Sequence, residues 1–190
     1  MKNLLPLLIV VAHAALSQAE TNNEALSPDG AYKLQRTTAG TWAIFDNSGN
    51  ALNAITPRLG KYDKIVTTWA PDSTKVAILA MTLKTSDLYI LGTKNTYTVP
   101  SPSLAALKAA AIPHANFQYN PQSYLFRDKG PISVAWHSPE QLQIRTEFVA
   151  DLSDIHLGHQ DHWLFIIGYG YDLGAEGSPQ NLEVVQARQQ

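Results

Sequence analysis

Apolar and polar residues alternate along this chain in short runs, each closed by a cluster of proline, glycine, asparagine or aspartate. That period belongs to half-buried strands joined by tight turns. The clearest stretch is WAPDSTKVAILAM, Trp69 to Met81. Ile65 to Trp69 is β-branched and aromatic, which suits a pleated surface. Pro71 removes a backbone donor and stops the ladder. Asp72 and Ser73 can bond their own backbone and close the turn. Lys75 to Leu79 then becomes nearly all apolar, the pattern of a strand covered on both faces. Thr85 to Asp87 predicts another turn, Leu88 to Leu91 a third strand and Thr96 to Val99 a fourth. The unit is a four-stranded antiparallel meander over residues 62–100.

The same outline recurs on either side. Ser27-Pro28-Asp29-Gly30 is a turn leading into a strand over Ala31 to Arg36. Thr38 to Gly40 turns the chain again. Strands over Thr41 to Asp46 and Ala51 to Thr56 flank the hairpin signal Asn47-Ser48-Gly49-Asn50. This unit spans residues 27–58, and Glu20 to Ala25 before it reads as a loose polar leader. A third unit spans 131–187. It has strands over Ile132 to Trp136, Gln141 to Val149, Trp163 to Ile167 and Leu182 to Gln186, with a turn at His137 to Glu140.

Residues 101–130 read as an insertion. Leu104 to Ala111 is a helix former, with Ser101 as N-cap, Pro102 at the first helical position and Pro113 ending it. Lys108 is its single charge, so the helix is expected to pack on a sheet. Phe117, Tyr119, Tyr124 and Phe126 are expected to anchor the following loop in the core.

Pro28 and Pro71 are 43 positions apart, and Pro71 and Pro139 are 68. Without residues 103–130 the second interval falls to 40. A period of about 40–45 with four strands per unit is that of propeller blades. SPDG at 27–30, WAPDS at 69–73 and WHSPE at 136–140 resemble the repeats of TolB-type β-propellers, as does Leu88-Tyr89-Ile90. The third copy departs from the pattern, with Glu140 for aspartate and an added residue before Pro139. The resemblance implies a binding scaffold or a cover on an enzyme, and no catalytic residues. Propellers close with four to eight blades, and this chain supplies three. The predicted fold is therefore all-β: three four-stranded antiparallel blade-like units, propeller-like or an open fan, with one inserted short helix. An open fan leaves apolar faces that invite a partner or self-association.

Composition narrows the setting. Lys2, the apolar run Leu4 to Leu16 and Ser17-Gln18-Ala19 have the layout of a signal peptide over residues 1–19, cleaved after Ala19. The run is too short for a membrane span. What remains, residues 20–190, is expected to form one β-repeat domain of an exported protein, periplasmic or extracellular. Its 13 basic and 16 acidic residues give a formal charge of −3, so nothing attracts nucleic acid or anionic lipid. The chain has no cysteine, which removes disulfides, thiol nucleophiles and thiolate metal sites.

The candidate chemistry is thin. His156, His159 and His162 lie with Asp154 and Asp161 within one short stretch. Imidazole and carboxylate suit zinc, and three ligands plus water would be a catalytic arrangement. Gly158 breaks any helix that would align the histidines, and no HExxH element is present. A solvated hairpin loop outweighs the metal reading. Gly168-Tyr-Gly170-Tyr-Asp-Leu-Gly174 follows a strand, but its glycines are misplaced for a dinucleotide fingerprint. It reads as the end of a strand with two exposed or stacking tyrosines. Asp29 and Asp72 read as turn-closing groups, and no nucleophile elbow is present. The expectation is a non-enzymatic binding or scaffold protein without a cofactor, taking a protein or envelope component through a sheet edge or blade face. The alternative is a small metal-dependent hydrolase built on loop 151–162.

Overall fold

The computed structural model describes residues 19–20, 24–38, 40–56, 64–152, 161–173 and 179–190. The signal peptide expected over residues 1–19 lies outside them except for Ala19. The described chain is mostly β, in three antiparallel sheets with one short helix. The first sheet runs β2 (Glu24–Leu26), β3 (Tyr32–Arg36), β4 (Trp42–Asp46), β5 (Ala51–Ile55). The second is a meander of β6 (Lys64–Trp69), β7 (Lys75–Met81), β8 (Ser86–Gly92) and β9 (Thr96–Tyr97), with β1 (Ala19–Glu20) added beside β6. The third runs β10 (Tyr124–Ser138), β11 (Gln141–Leu152), β12 (His162–Asp172), β13 (Gln180–Gln189). The sheets do not close into a barrel.

The proline corners are built alike. In the first, Gly30 N–H bonds Ser27 O at 2.9 Å and Ser27 N–H bonds Tyr32 O at 2.9 Å. In the second, Ser73 N–H bonds Ala70 O at 3.0 Å and Ala70 N–H bonds Lys75 O at 2.8 Å. Gly30 and Ser73 occupy the same place in the two turns, and both have positive φ, 70° and 62°. Asp29 and Asp72 close the turns as expected, accepting from Ala31 N–H and Thr74 N–H.

Equivalent bonds also join one sheet to the next. Trp69 Nε1–H reaches Ala25 O in the first sheet at 3.4 Å, and Trp136 Nε1–H reaches Thr68 O in the second at 2.9 Å. Ala25 and Thr68 each stand three places before their proline, so the two bonds are repeats of one contact. The corners touch too. Asp29 N–H donates to Ser73 Oγ, and Lys75 Nζ donates to Pro139 O and Glu140 Oε1.

These contacts align the sheets face to face. Val76, Ile78 and Leu91 of the second sheet pack on Leu34, Trp42 and Ile44 of the first. Ala77, Leu79 and Ile90, on its opposite face, pack on Val134, Leu142, Ile144 and Tyr169 of the third. β7 is therefore covered on both sides, as its apolar run requires.

The third sheet has the longest strands. One face of it runs from Leu142 and Ile144 through Phe148 to Ala150. Half of that face covers the second sheet. The other half, with Phe126, Phe148, Trp163 and Phe165, covers Leu107 and Ala111 of the helix α1 (Leu104–Ala111), with Phe117 packed against it. The helix thus extends the layer of the second sheet.

Several boundaries differ from those expected. Glu24–Leu26 is a paired strand and not loose leader, because Leu26, Ala25 and Glu24 ladder with Lys33, Leu34 and Gln35. The N-cap of α1 is Ser103, whose Oγ accepts from Ala106 N–H, in place of Ser101. Tyr124 and Phe126 lie in β10, not in a loop, so the third sheet begins well before Pro131 and the insertion ends earlier. Gly168 to Asp172 continues β12 instead of ending it, and Tyr169 is buried, not exposed.

Candidate functional site

The base of the histidine-rich loop is ordered by polar bonds. Asp161, 2% exposed, accepts from the Tyr124 hydroxyl, from Gln189 Nε2 at 2.7 Å and from Gln118 N–H at 3.4 Å. Burial first, and then the bond to Asp161, push the Tyr124 phenol up to about 12. His162 stands across the ladder from Asp151. Its Nδ1 contacts one Asp151 oxygen, and the Arg127 guanidinium contacts the other. His156 and His159 lie outside the described residues, so of the three candidate ligands the structure places His162 alone. Among the described residues no group of three or more histidines and carboxylates could hold a metal ion. Both described groups act as structure: they tie β10, β11, β12 and β13 together where the loop leaves the sheet.

The outward face of the third sheet offers a different site. Gly168 and Gly170 alternate along β12 on the face turned away from the second sheet. The ladder places Arg145 and Glu183 on either side of Gly168, and Gln143 and Gln180 on either side of Gly170. Ser133 and Ala135 of β10 extend these two rows. With no side chain on the two glycines, the rows enclose a groove of about 660 Å³, closed at one side by Asn181 and Val185.

At Gly170 nothing in the fold demands glycine. Neither Gly168 nor Gly170 has positive φ. A Cβ at Gly170 would meet nothing nearer than 3.8 Å, whereas one at Gly168 would press on Cγ2 of the β-branched Val185 at 3.2 Å. A glycine inside a strand weakens it, and commonly marks close approach of a ligand or another backbone. The walls agree: no described residue hydrogen-bonds or ion-pairs the Arg145 guanidinium or the Glu183 carboxylate. Among the described residues, then, the groove presents an unpaired cation and an unpaired anion over a bare strip of backbone.

A second cavity, about 400 Å³, opens where the three sheets meet, between Thr56, Asp87, Tyr97 and Tyr169. Its polar groups are largely engaged: Ser86 donates to Pro131 O, and Asp87 and Tyr89 have contacts of their own. No family model, no curated protein and no solved structure matches this chain.

The groove escapes sequence reasoning because its walls come from four strands. One signal was present: two glycines two places apart in an apolar run must share a face if the strand continues through them.

Proposed function

We propose that this chain is an exported, non-enzymatic binding or scaffold protein of the TolB-type propeller kind, and that the outward face of its third sheet receives the partner. The observation that supports this reading is the bare strip at Gly168 and Gly170 in β12, of which Gly170 serves neither backbone conformation nor packing. A strand interior that forgoes two side chains loses about 0.5–1 kcal/mol at each. Keeping a flat floor for something that lies against it accounts for that loss.

The test is a photo-crosslinking side chain at Gln143, beside the floor. It should trap a discrete adduct in an envelope extract. Gly170→Val should abolish the adduct while raising the melting temperature, because valine suits a strand and meets no obstacle there. An adduct indifferent to Gly170→Val, or no adduct at all, removes the reading. The hydrolase alternative depends on His156 and His159 and gains no support from the contacts of His162.

A further inference from the structure

Among the described residues no further sheet covers either end of the stack, and the two ends match. The groove lies directly behind Leu142 and Ile144, the residues that pack on the second sheet. It is therefore where a fourth sheet would continue the stack. At the opposite end, Glu24, Leu26, Lys33, Gln35 and Phe45 alternate with the first sheet's core residues and are exposed or half-buried, with buried Ala43 between them.

Leu26 is informative. It stands two places before Pro28, as Trp69 stands two places before Pro71. Trp69 at that place reaches the preceding sheet, and Trp136 does the same one corner later. Leu26 is 64% exposed, and among the described residues no sheet packs on it. The faces also complement each other in shape and charge. A ridge of Leu26, Lys33 and Phe45 meets a glycine-floored trough. Glu24 and Lys33, 3.6 Å apart on one face, can extend their pairing to Arg145 and Glu183 on the other.

Resting on the reading above, we infer that the partner in the groove is a second copy of this chain. The first sheet of each copy docks on the third sheet of the other, so that two open stacks of three close into one of six. Reciprocity is required by size. Four strands about 4.8 Å apart and five residues long give a face of roughly 300 Å². One such contact buries about 600 Å² in total, below the range of specific interfaces. Two bury about 1,200 Å², its lower edge. The pair uses each face once and cannot grow into a filament.

Sedimentation velocity on the purified full chain, up to about 100 µM, reads the result. The expected species has twice the monomer mass. Leu26→Asp and Gly170→Val, at opposite ends of the stack, should each shift the dissociation constant up by at least about tenfold. Circular dichroism of each variant must show the native fold; Gly170→Ser replaces any variant that fails this. A monomer at the highest concentration, or a dimer indifferent to both substitutions, overturns the inference. A monomer whose Gln143 adduct with another molecule still depends on Gly170 overturns only the second copy and leaves the binding proposal standing.

Discussion

Tyr124 and Asp161 show how much one contact fixes at the base of the long hairpin. Asp161 is buried with three donors, and Tyr124 supplies one of them from a different strand. Tyr124→Phe leaves that carboxylate one donor short in a dry place, which costs about 1–3 kcal/mol; urea unfolding at neutral pH measures it. The same contact predicts a pH dependence. The folded phenol is held near 12, above its ordinary 10.0. The unfolded chain therefore releases its proton first, and stability falls as pH rises between these values. The variant should lose that portion of the alkaline decline. A decline as steep in Tyr124→Phe as in the parent would refute the assignment. Gly30 gives a cleaner conformational case. Its φ is 70°, yet a Cβ there would meet nothing within 4 Å. Gly30→Ala should thus cost about 1 kcal/mol through backbone strain alone, seen as a lower urea midpoint with an unchanged slope.

At the scale of elements, the helix and the tryptophans carry the contacts that decide arrangement. Leu107 of α1 is fully buried against the aromatic half of the third sheet. Leu107→Ala should cost about 3 kcal/mol, from lost burial and the cavity left, and thermal unfolding followed by circular dichroism checks it. Strands and corners were legible where two signals coincided. Pro28, Pro71 and Pro139 each stop a ladder, and the residues after them are apolar or alternate. The helix was legible because alanine and leucine, broken only by Lys108, fill the stretch between prolines. Three things were not. Glu24–Leu26 buries only the small Ala25 against the core, with exposed Glu24 and Leu26 on its other face, so its apolar pattern is weak. Tyr124 and Phe126 do alternate, but the helical insertion just before them masked the start of β10. Gly168 and Gly170 looked like a strand's end because glycine is a poor strand former, whereas the neighbouring strands hold β12 extended through them. Of the candidate metal ligands, His162 belongs to a strand and has an acidic partner of its own, which spacing in a sequence cannot reveal.

In the molecule as a whole, the second sheet is the shared element. β7 packs Val76 and Ile78 on the first sheet, and Ala77 and Leu79 on the third. Neither core survives without it. Lys75 adds a polar tie at the corner. It is 6% exposed and bonds Pro139 O and Glu140. Burial alone would lower its pKa, but the Glu140 hydrogen bond and the Asp72 charge raise it. The side chain of Glu140 is 54% exposed, so solvent screens the pair and removing the cation strands no buried charge. Lys75→Met should then cost only about 1 kcal/mol. The cores, not the tie, set the order in which the molecule opens. Amides in the middle of β7 can exchange only when both cores are lost, which is global unfolding. Those of β2 and β5, at the edges of a sheet covered on one face by the chain itself, can open locally. Hydrogen exchange should therefore place β7 at the full unfolding free energy and β2 and β5 well below it. Ile78→Ala and Leu79→Ala should each lower β7 protection by their whole equilibrium cost, about 2–5 kcal/mol. If either left β7 protection intact while exposing only the sheet on its own side, the three sheets would be separable units and the stack would not be the cooperative body described.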